Sequence, residues 1–257
     1  MRITVLAENT TRTPALEAEH GLSLYVETAG HRILFDMGQS DLFARNAAAL
    51  GVDLQAVDIA VLSHGHYDHG GGLAHFLEIN KTAPVYVHRT AFGAHYNGEK
   101  YIGLDTALQR HPRLAFTGGE YPLAAGLTLY DADGCPVLFH DGDSGLTRRE
   151  NGRVFADDFR HEQYLLIEED GRRVLISGCS HRGIRNIVSR FAPDVVVGGF
   201  HYSKFPLDDT LGSYAAYLSG YDTAYYTCHC TGEAQCEYMK QWMPRLQYIA
   251  TGDTIEV

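Results

Sequence analysis

Residues 62–73 read LSHGHYDHGGGL. Three histidines and one aspartate occupy residues 64–69, three glycines follow at once, and the apolar run Ile59-Ala60-Val61-Leu62 precedes them. An apolar run of that kind reads as a buried strand, so the polar cluster sits where the strand gives way to a loop. In extended chain, alternate side chains share a side, which places His64 and His66 together, while the turn after them swings Asp68 and His69 to a second position. Two adjacent metal ions would receive two ligands each from this spacing. A lone histidine at such a place is more often a solvated loop residue, but four ligand types in six residues, with glycines to ease a tight turn, point to metal.

The rest of the chain is compatible with a folded enzyme. Its 257 residues are 45% hydrophobic and 21% charged, as in ordinary globular proteins. The net charge of −11 argues against nonspecific nucleic-acid binding, which needs a basic surface to displace counterions. Fourteen histidines accompany five cysteines, Cys135, Cys179, Cys228, Cys230 and Cys236, whose odd number and irregular spacing suit a reducing cytoplasm. No apolar run reaches the roughly 18 residues of a membrane helix, and MRITVLAENT lacks a secretory leader's pattern, so a soluble, cytoplasmic protein without membrane partners is expected.

Short β-type runs at ITVLAE, SLYVET and HRILFDMG predict an antiparallel opening sheet, and SDLFARNAAAL predicts a first helix with Gly51 as its stop. GLAHFLEIN reads as a helix and PVYVH as a strand, whereas residues 89–119 carry only a weak pattern and are expected to form an inserted loop or lid. Strands are then expected at LTLYD, PVLFH, EQYLLIEED and RRVLISG, the last two joined by the turn signal Asp170-Gly171. Helices at GIRNIVSRF, LGSYAAYLSG and AQCEYMKQWMPRL alternate with strands at DVVVGGF, TAYYTCH and DTIEV. Two β-then-α halves in one domain over 1–257 predict an α/β fold, a four-layer αβ/βα sandwich with helices outside and sheets inside.

Three apolar strands end in further ligand types: Cys179 and His181 in LISGCSHRGI, His201 in VVVGGFHYSK and His229 in YYTCHCTGEA. SHGHYDHGGGL, with FDMG upstream, resembles the signature of the metallo-β-lactamase fold superfamily. GCSH, GGFH, HCTG and EHGLS resemble the branch of 7,8-dihydropterin-6-yl-methyl-4-(β-D-ribofuranosyl)aminobenzene 5′-phosphate synthase-like metal-dependent hydrolases. The resemblance implies two divalent metal ions, zinc in the first instance, with manganese and iron as alternatives. His64 and His66 would hold one ion, Asp68 and His69 the other, with His181 added to the first and His229 to the second. Asp36 would brace the histidine loop by hydrogen bonds.

Many such relatives place a bridging aspartate where this chain has Cys179, which is either a thiolate ligand or a small buried residue. With few anionic ligands the metal pair would favour a small anionic substrate. His201 is assigned to catalysis as a proton donor or to phosphate binding, and Lys204 adds a cation nearby unless it is simply a surface residue. Glu19 and His20 either line the cleft or form a solvated turn, and Tyr67, Phe92, Tyr96 and Tyr101 are either a platform for a flat ring or core. The functional expectations are a phosphoester-type hydrolase with a metal-activated hydroxide, a synthase displacing pyrophosphate, or a noncatalytic metal-based sensor, with a homo-oligomer as a further expectation.

Overall fold

The computed structural model describes residues 1–141 and 144–257. The chain, read above as one domain, divides into two compact units: Met1–Gly118 with Gly142–Gln163 and Ala250–Val257, and Gly119–Asp141 with Tyr164–Ile249. In chain order the first unit opens with β1 (Arg2–Ala7), β2 (Ser23–Glu27), β3 (Arg32–Phe35), α1 (Leu42–Leu50), β4 (Ile59–Val61), α2 (Tyr67–Gly70) and α3 (Leu73–Ile79). It continues with β5 (Val85–His88), β6 (Ala94–Asn97), β7 (Lys100–Tyr101) and β8 (Leu114–Thr117). The strands β9 (Glu120–Ala124) and β10 (Leu127–Asp131) belong to the second unit, β11 (Leu146–Glu150) and β12 (Arg153–Ala156) to the first. The second unit then runs through β13 (Gln163–Glu169), β14 (Arg172–Ile176), α4 (Ile184–Phe191), β15 (Val195–Gly198), α5 (Asp209–Ser219), β16 (Ala224–Thr227), α6 (Glu233–Met239) and β17 (Leu246–Tyr248). The closing strand, β18 (Thr254–Glu256), returns to the first.

The first unit's main sheet has the order β18-β1-β2-β3-β4-β5-β8. β1, β2 and β3 pair antiparallel as expected, and β3, β4, β5 and β8 run parallel, so the polar loop behind β4 leaves the sheet at a carboxyl end. One face is packed by α1 and α3: Leu6, Leu34, Ala60 and Val85 of the sheet share a core with Phe43, Ala47, Leu73 and Phe76. Completely burying a side chain the size of Phe76 or Leu73 stabilises by about 2–3 kcal/mol, so this face anchors the start of the motif helix. α1 ends where Gly51 takes φ 72°, a left-handed position that glycine occupies without cost, and its N–H reaches back to Ala47 and Ala48.

The second unit's sheet has the order β17-β16-β15-β14-β13-β10-β9, with β14 to β17 parallel. The Asp170-Gly171 turn joins β13 to β14 with both residues at positive φ, 50° and 75°, the conformation of a tight hairpin turn. α4, α5 and α6 bury Val188, Leu211, Ala215 and Met239 with Val196 and Tyr225 of the sheet. Asp208 caps α5 by accepting from the backbone N–H of Thr210 and Leu211.

Three expectations change. Residues 89–119 are not a bare loop: β6 and β7 join β11 and β12 in a four-stranded sheet, and β8 extends the main sheet. PVLFH forms no strand, because the Asn186 side chain takes its backbone, accepting from Leu138 and Phe139 N–H and donating to the Phe139 carbonyl. The last helix stops at Met239, and Leu246–Tyr248 becomes a parallel edge strand. No helix of the described residues is long and apolar enough to cross a membrane. The α/β class stands, with a sheet covered by helices in each unit.

Candidate metal centre

The loop behind β4 is buried: His64 and His69 are fully inaccessible, and His66 and Asp68 nearly so. The His64 ring lies 4.5 Å from His66 and 4.2 Å from His69, centroid to centroid. Asp68 stands 3.9 Å from His69 Nε2, and the exposed His20 approaches the same carboxylate at 3.2 Å. The three imidazoles and one carboxylate of the motif therefore converge on one small volume.

Asp36 organises them from behind. Its carboxylate accepts from Ser63 N and Ser63 Oγ, each at 2.7 Å, and from His69 Nδ1 at 2.7 Å; Ser63 Oγ in turn lies 2.8 Å from His64 Nδ1. With Asp36 ionised, these hydrogen bonds assign N–H to Nδ1 of both histidines and leave the lone pair of each ring on Nε2, the nitrogen that could bind a metal. Burial opposes a charge on His69, but Asp36 and then Asp68 outweigh it and raise the imidazole above its ordinary pKa. Burial, reinforced by His161, pushes His66 well below its ordinary value, so it is neutral, the form that binds metal.

The three glycines of the motif serve space rather than turning. Gly71 and Gly72 have φ of −63° and −76°, ordinary helical values. A Cβ on Gly72 would stand 2.1 Å from the Met37 carbonyl oxygen, and one on Gly71 2.4 Å from that of Gln39. Gly65 is equally confined, its Cβ position lying 2.1 Å from the Ala91 carbonyl oxygen. Glu19 spends its carboxylate on this neighbourhood, accepting from Gln39 N–H, Ser40 N–H and Ser40 Oγ, a bracing role for the turn before α1.

In the second unit the ligand types stand at the ends of parallel strands: Cys179 and His181 after β14, His201 after β15, His229 after β16. Cys179 and His229 are buried, His181 and His201 are half-buried with ring centroids 4.4 Å apart, and Lys204 is exposed. Ser180, His201 and His229 all have positive φ, 57°, 60° and 51°, as does Asp36 at 60° in the first unit. Non-glycine residues held in this region cost roughly 1–3 kcal/mol each and cluster where geometry matters more than stability. Cys228 and Cys230 are buried and outside any disulfide, and Cys230 Sγ accepts from His201 N–H at 3.3 Å.

A family model described as the metallo-beta-lactamase superfamily matches residues 16–221. The chain belongs to that superfamily. An uncharacterized protein of Methanocaldococcus jannaschii is 30% identical over 90% of each chain. A second from that organism is 7,8-dihydropterin-6-methyl-4-(beta-D-ribofuranosyl)-aminobenzene-5′-phosphate synthase, 28% identical over 93% of this chain and 90% of its own. Among solved structures, a metal-dependent hydrolase of the beta-lactamase superfamily superimposes with a TM-score of 0.88 at 30% identity, covering 100% of this chain and 99% of the other. The metallo-β-lactamase fold protein YhfI from Bacillus subtilis shares the fold at a TM-score of 0.60 and 15% identity, over 100% and 99% of the two chains.

Sequence reading of this superfamily member passed over the segment that closes the first unit's site. Gln163 donates from Nε2 to the Leu62 and Tyr86 carbonyls at 2.8 and 3.2 Å, and accepts from Thr117 Oγ1 at 2.6 Å, pinning the strand end from which the motif springs. His161 Nδ1 accepts from Gly65 N–H at 2.9 Å. The available signal was HEQ at the start of a strand, three polar residues that are all at most 2% exposed. Beside them a cleft of about 440 Å³ is lined by Arg89, Arg148, Arg149 and Arg160, with His95 and His161.

Proposed function

We propose that the chain is a dinuclear metal-dependent hydrolase acting on a small anionic substrate, a phosphoester in the first instance. The observation that carries this reading is the Asp36–Ser63 hydrogen-bond system, which sets the tautomers of two buried histidines, a device that ligation requires and simple packing does not. The donor set fits divalent ions: three neutral-capable imidazoles and one carboxylate suit zinc, manganese or iron. His64, His66, Asp68 and His69 are assigned as ligands from the first unit, and His181, His229 and Cys179 are proposed from the strand-end pattern of the second.

When bound, the ions would supply Lewis acidity and a nucleophile derived from water at neutral pH. The remaining work falls to side chains. His201, at φ 60° after β15, would deliver a proton to the leaving oxygen. An anionic substrate group is favoured by the cleft, whose four arginines face only Glu150 and Asp158 among its lining carboxylates. Arginine is suited to that task because its planar fork of donors matches phosphate oxygens in pairs. A second reading, transfer with loss of pyrophosphate, is favoured by the near full-length similarity to the dihydropterin synthase.

The test is reconstitution with zinc, manganese or iron, followed by product analysis on p-nitrophenyl phosphate, its bis-ester, a lactone, a thioester and a pterin diphosphate with an aminobenzene acceptor. Release of phosphate or alcohol from an ester supports the hydrolase; pyrophosphate release that needs the acceptor supports transfer. His201→Ala should keep its metal and lose turnover. Unchanged metal content in both His64→Ala and Asp68→Ala would sink the proposal.

A further inference from the structure

The four-stranded sheet of the first unit sets two polar side chains next to each other, each with one hydrogen bond unmade. β6 pairs antiparallel with β11 so that His95 stands directly opposite Arg148, and residues paired in this way project on the same face. Both line the arginine-bearing cleft of about 440 Å³. We propose that His95 and Arg148 determine the specificity of that cleft by holding the hydroxyl group of a hydroxylated phosphoester, whose phosphate lies against the neighbouring arginines.

The hydrogen bonds fix what each partner lacks. His95 Nδ1 is 2.7 Å from Asp157 Oδ2, which assigns the proton to Nδ1 and leaves the lone pair on Nε2. Asp157 is held in that position from two sides. Its other oxygen accepts from Phe159 N–H at 2.9 Å, and Oδ2 also faces His161 Nε2 at 3.4 Å, the protonated nitrogen of a ring whose Nδ1 accepts from Gly65 N–H. His95 is 3% exposed, and its Nε2 is buried with no hydrogen-bond partner among the described residues. The ring edge that carries Nε2 is turned toward Gly93, another residue of the cleft wall, where a Cβ would stand 3.0 Å from that nitrogen.

Arg148 has the opposite deficit. Its terminal nitrogens are engaged by Glu150 at 2.6 Å and Asp158 at 3.4 Å, and its guanidinium lies 4.9 Å from the centre of the Phe155 ring. Held this way, its Nε–H is buried with no partner among the described residues, His95 included. One residue needs a donor and the other an acceptor. A hydroxyl is both through a single oxygen, whereas an ionised phosphate oxygen only accepts. Arg89 and Arg160 of the same wall provide for the anion. A site built to bond a hydroxyl rejects the analogue that lacks it, because its own buried groups are then left unpaired. The inference rests on the cleft's assignment to the anionic substrate under the proposed function, and not on hydrolysis.

The test is calorimetric titration of the full chain with glycerol 3-phosphate and with propyl phosphate, which differ only in their hydroxyl groups, both metal-loaded and after chelation. The parent should bind glycerol 3-phosphate more tightly by about tenfold in both states. His95→Phe removes the lone pair, Gly93→Ala sets a methyl over it while keeping the His95–Asp157 bond, and Arg148→Lys keeps the charge without Nε. Each should bring the two affinities together by weakening glycerol 3-phosphate alone, and should His95→Phe not fold, the other two decide. Equal affinities in the parent, the result for a site where only water joins the two atoms, overturn the proposal, as does the parental preference in folded Gly93→Ala and Arg148→Lys. No turnover is read: a protein that hydrolyses none of the esters yet shows the preference loses the hydrolase reading and keeps this one, and hydrolysis with equal affinities does the reverse.

Discussion

Replacing Asp36 by asparagine tests the tautomer argument with almost no change in volume. The amide oxygen can still accept from Ser63 N–H, but the new NH₂ occupies the place of the oxygen now shared, at 2.7 Å each, by Ser63 Oγ and His69 Nδ1. Two donors cannot face each other, so His69 must shift its proton to Nε2 and accept at Nδ1. Ser63, now accepting from the amide, turns its own proton toward His64 Nδ1, 2.8 Å away, and drives that ring to the same tautomer. Both lone pairs proposed to bind metal are withdrawn by one substitution. Loss of a single such supporting contact lowers metal affinity about 10–100-fold, so disabling two rings together should cost on the order of 1000-fold, or ~4 kcal/mol. Competition with a chromogenic chelator measures this directly, and near-ultraviolet circular dichroism reports whether the fold survives. Ser63→Ala should give a smaller loss, through His64 alone, and add little to Asp36→Asn. Parental affinity in a folded Asp36→Asn protein would refute the reasoning.

Gly65→Ala should lower the melting temperature and destabilise by roughly 1–3 kcal/mol, because the added methyl meets backbone that cannot rotate away, the Ala91 carbonyl at 2.1 Å. Gln163→Leu removes the side-chain hydrogen bonds to Thr117 Oγ1 and the Leu62 carbonyl, while the Tyr86 carbonyl keeps Leu62 N–H, and should cost about 2–4 kcal/mol in urea denaturation. Burial, with Glu237 and Glu233 aiding and Lys240 opposing, pushes the Cys236 thiol up to about 11. Above pH 9 the unfolded chain releases this proton while the folded one keeps it, so stability should fall by about 1.4 kcal/mol per pH unit toward 11, and Cys236→Ala should flatten that slope between pH 9 and 10. At φ 60°, His201→Gly should be more stable than His201→Ala by about 1–2 kcal/mol, the reverse of the usual order, and equal stabilities would remove the case for strain there.

Elements whose causes are local were legible in the sequence. β1, β2 and β3 alternate or run apolar within a few residues, and the Asp170-Gly171 turn carries its own conformational signal. The four-stranded sheet was not, because β6 and β11 are short, partly exposed strands whose pairing, Leu146 with Asn97 through Arg149 with Ala94, joins segments far apart in the chain. Composition alone cannot announce such a pairing, since β-propensity mostly reports the surface a strand packs against. PVLFH shows the opposite failure: its side chains suit a strand, yet one distant side chain, Asn186, engages its backbone first.

The same distinction divides the site. His64, His66, Asp68 and His69 could be read at once because a tight loop must place neighbours in sequence near one another, and Asp36 could be attached through a motif. His95 and Asp157, 62 positions apart, meet only because β6 pairs with β11 and β11 with β12. The backbone conditions were hidden as well: nothing in the letters marks Asp36, Ser180, His201 and His229 as left-handed. Yet each stands where a strand ends and a ligand-type side chain follows or is itself that residue. Asn151 and Asp170 take the same conformation in ordinary hairpin turns, but these four, at strand ends and at or beside ligand-type side chains, are what a chain shows when the direction of a few polar side chains has been favoured over backbone comfort.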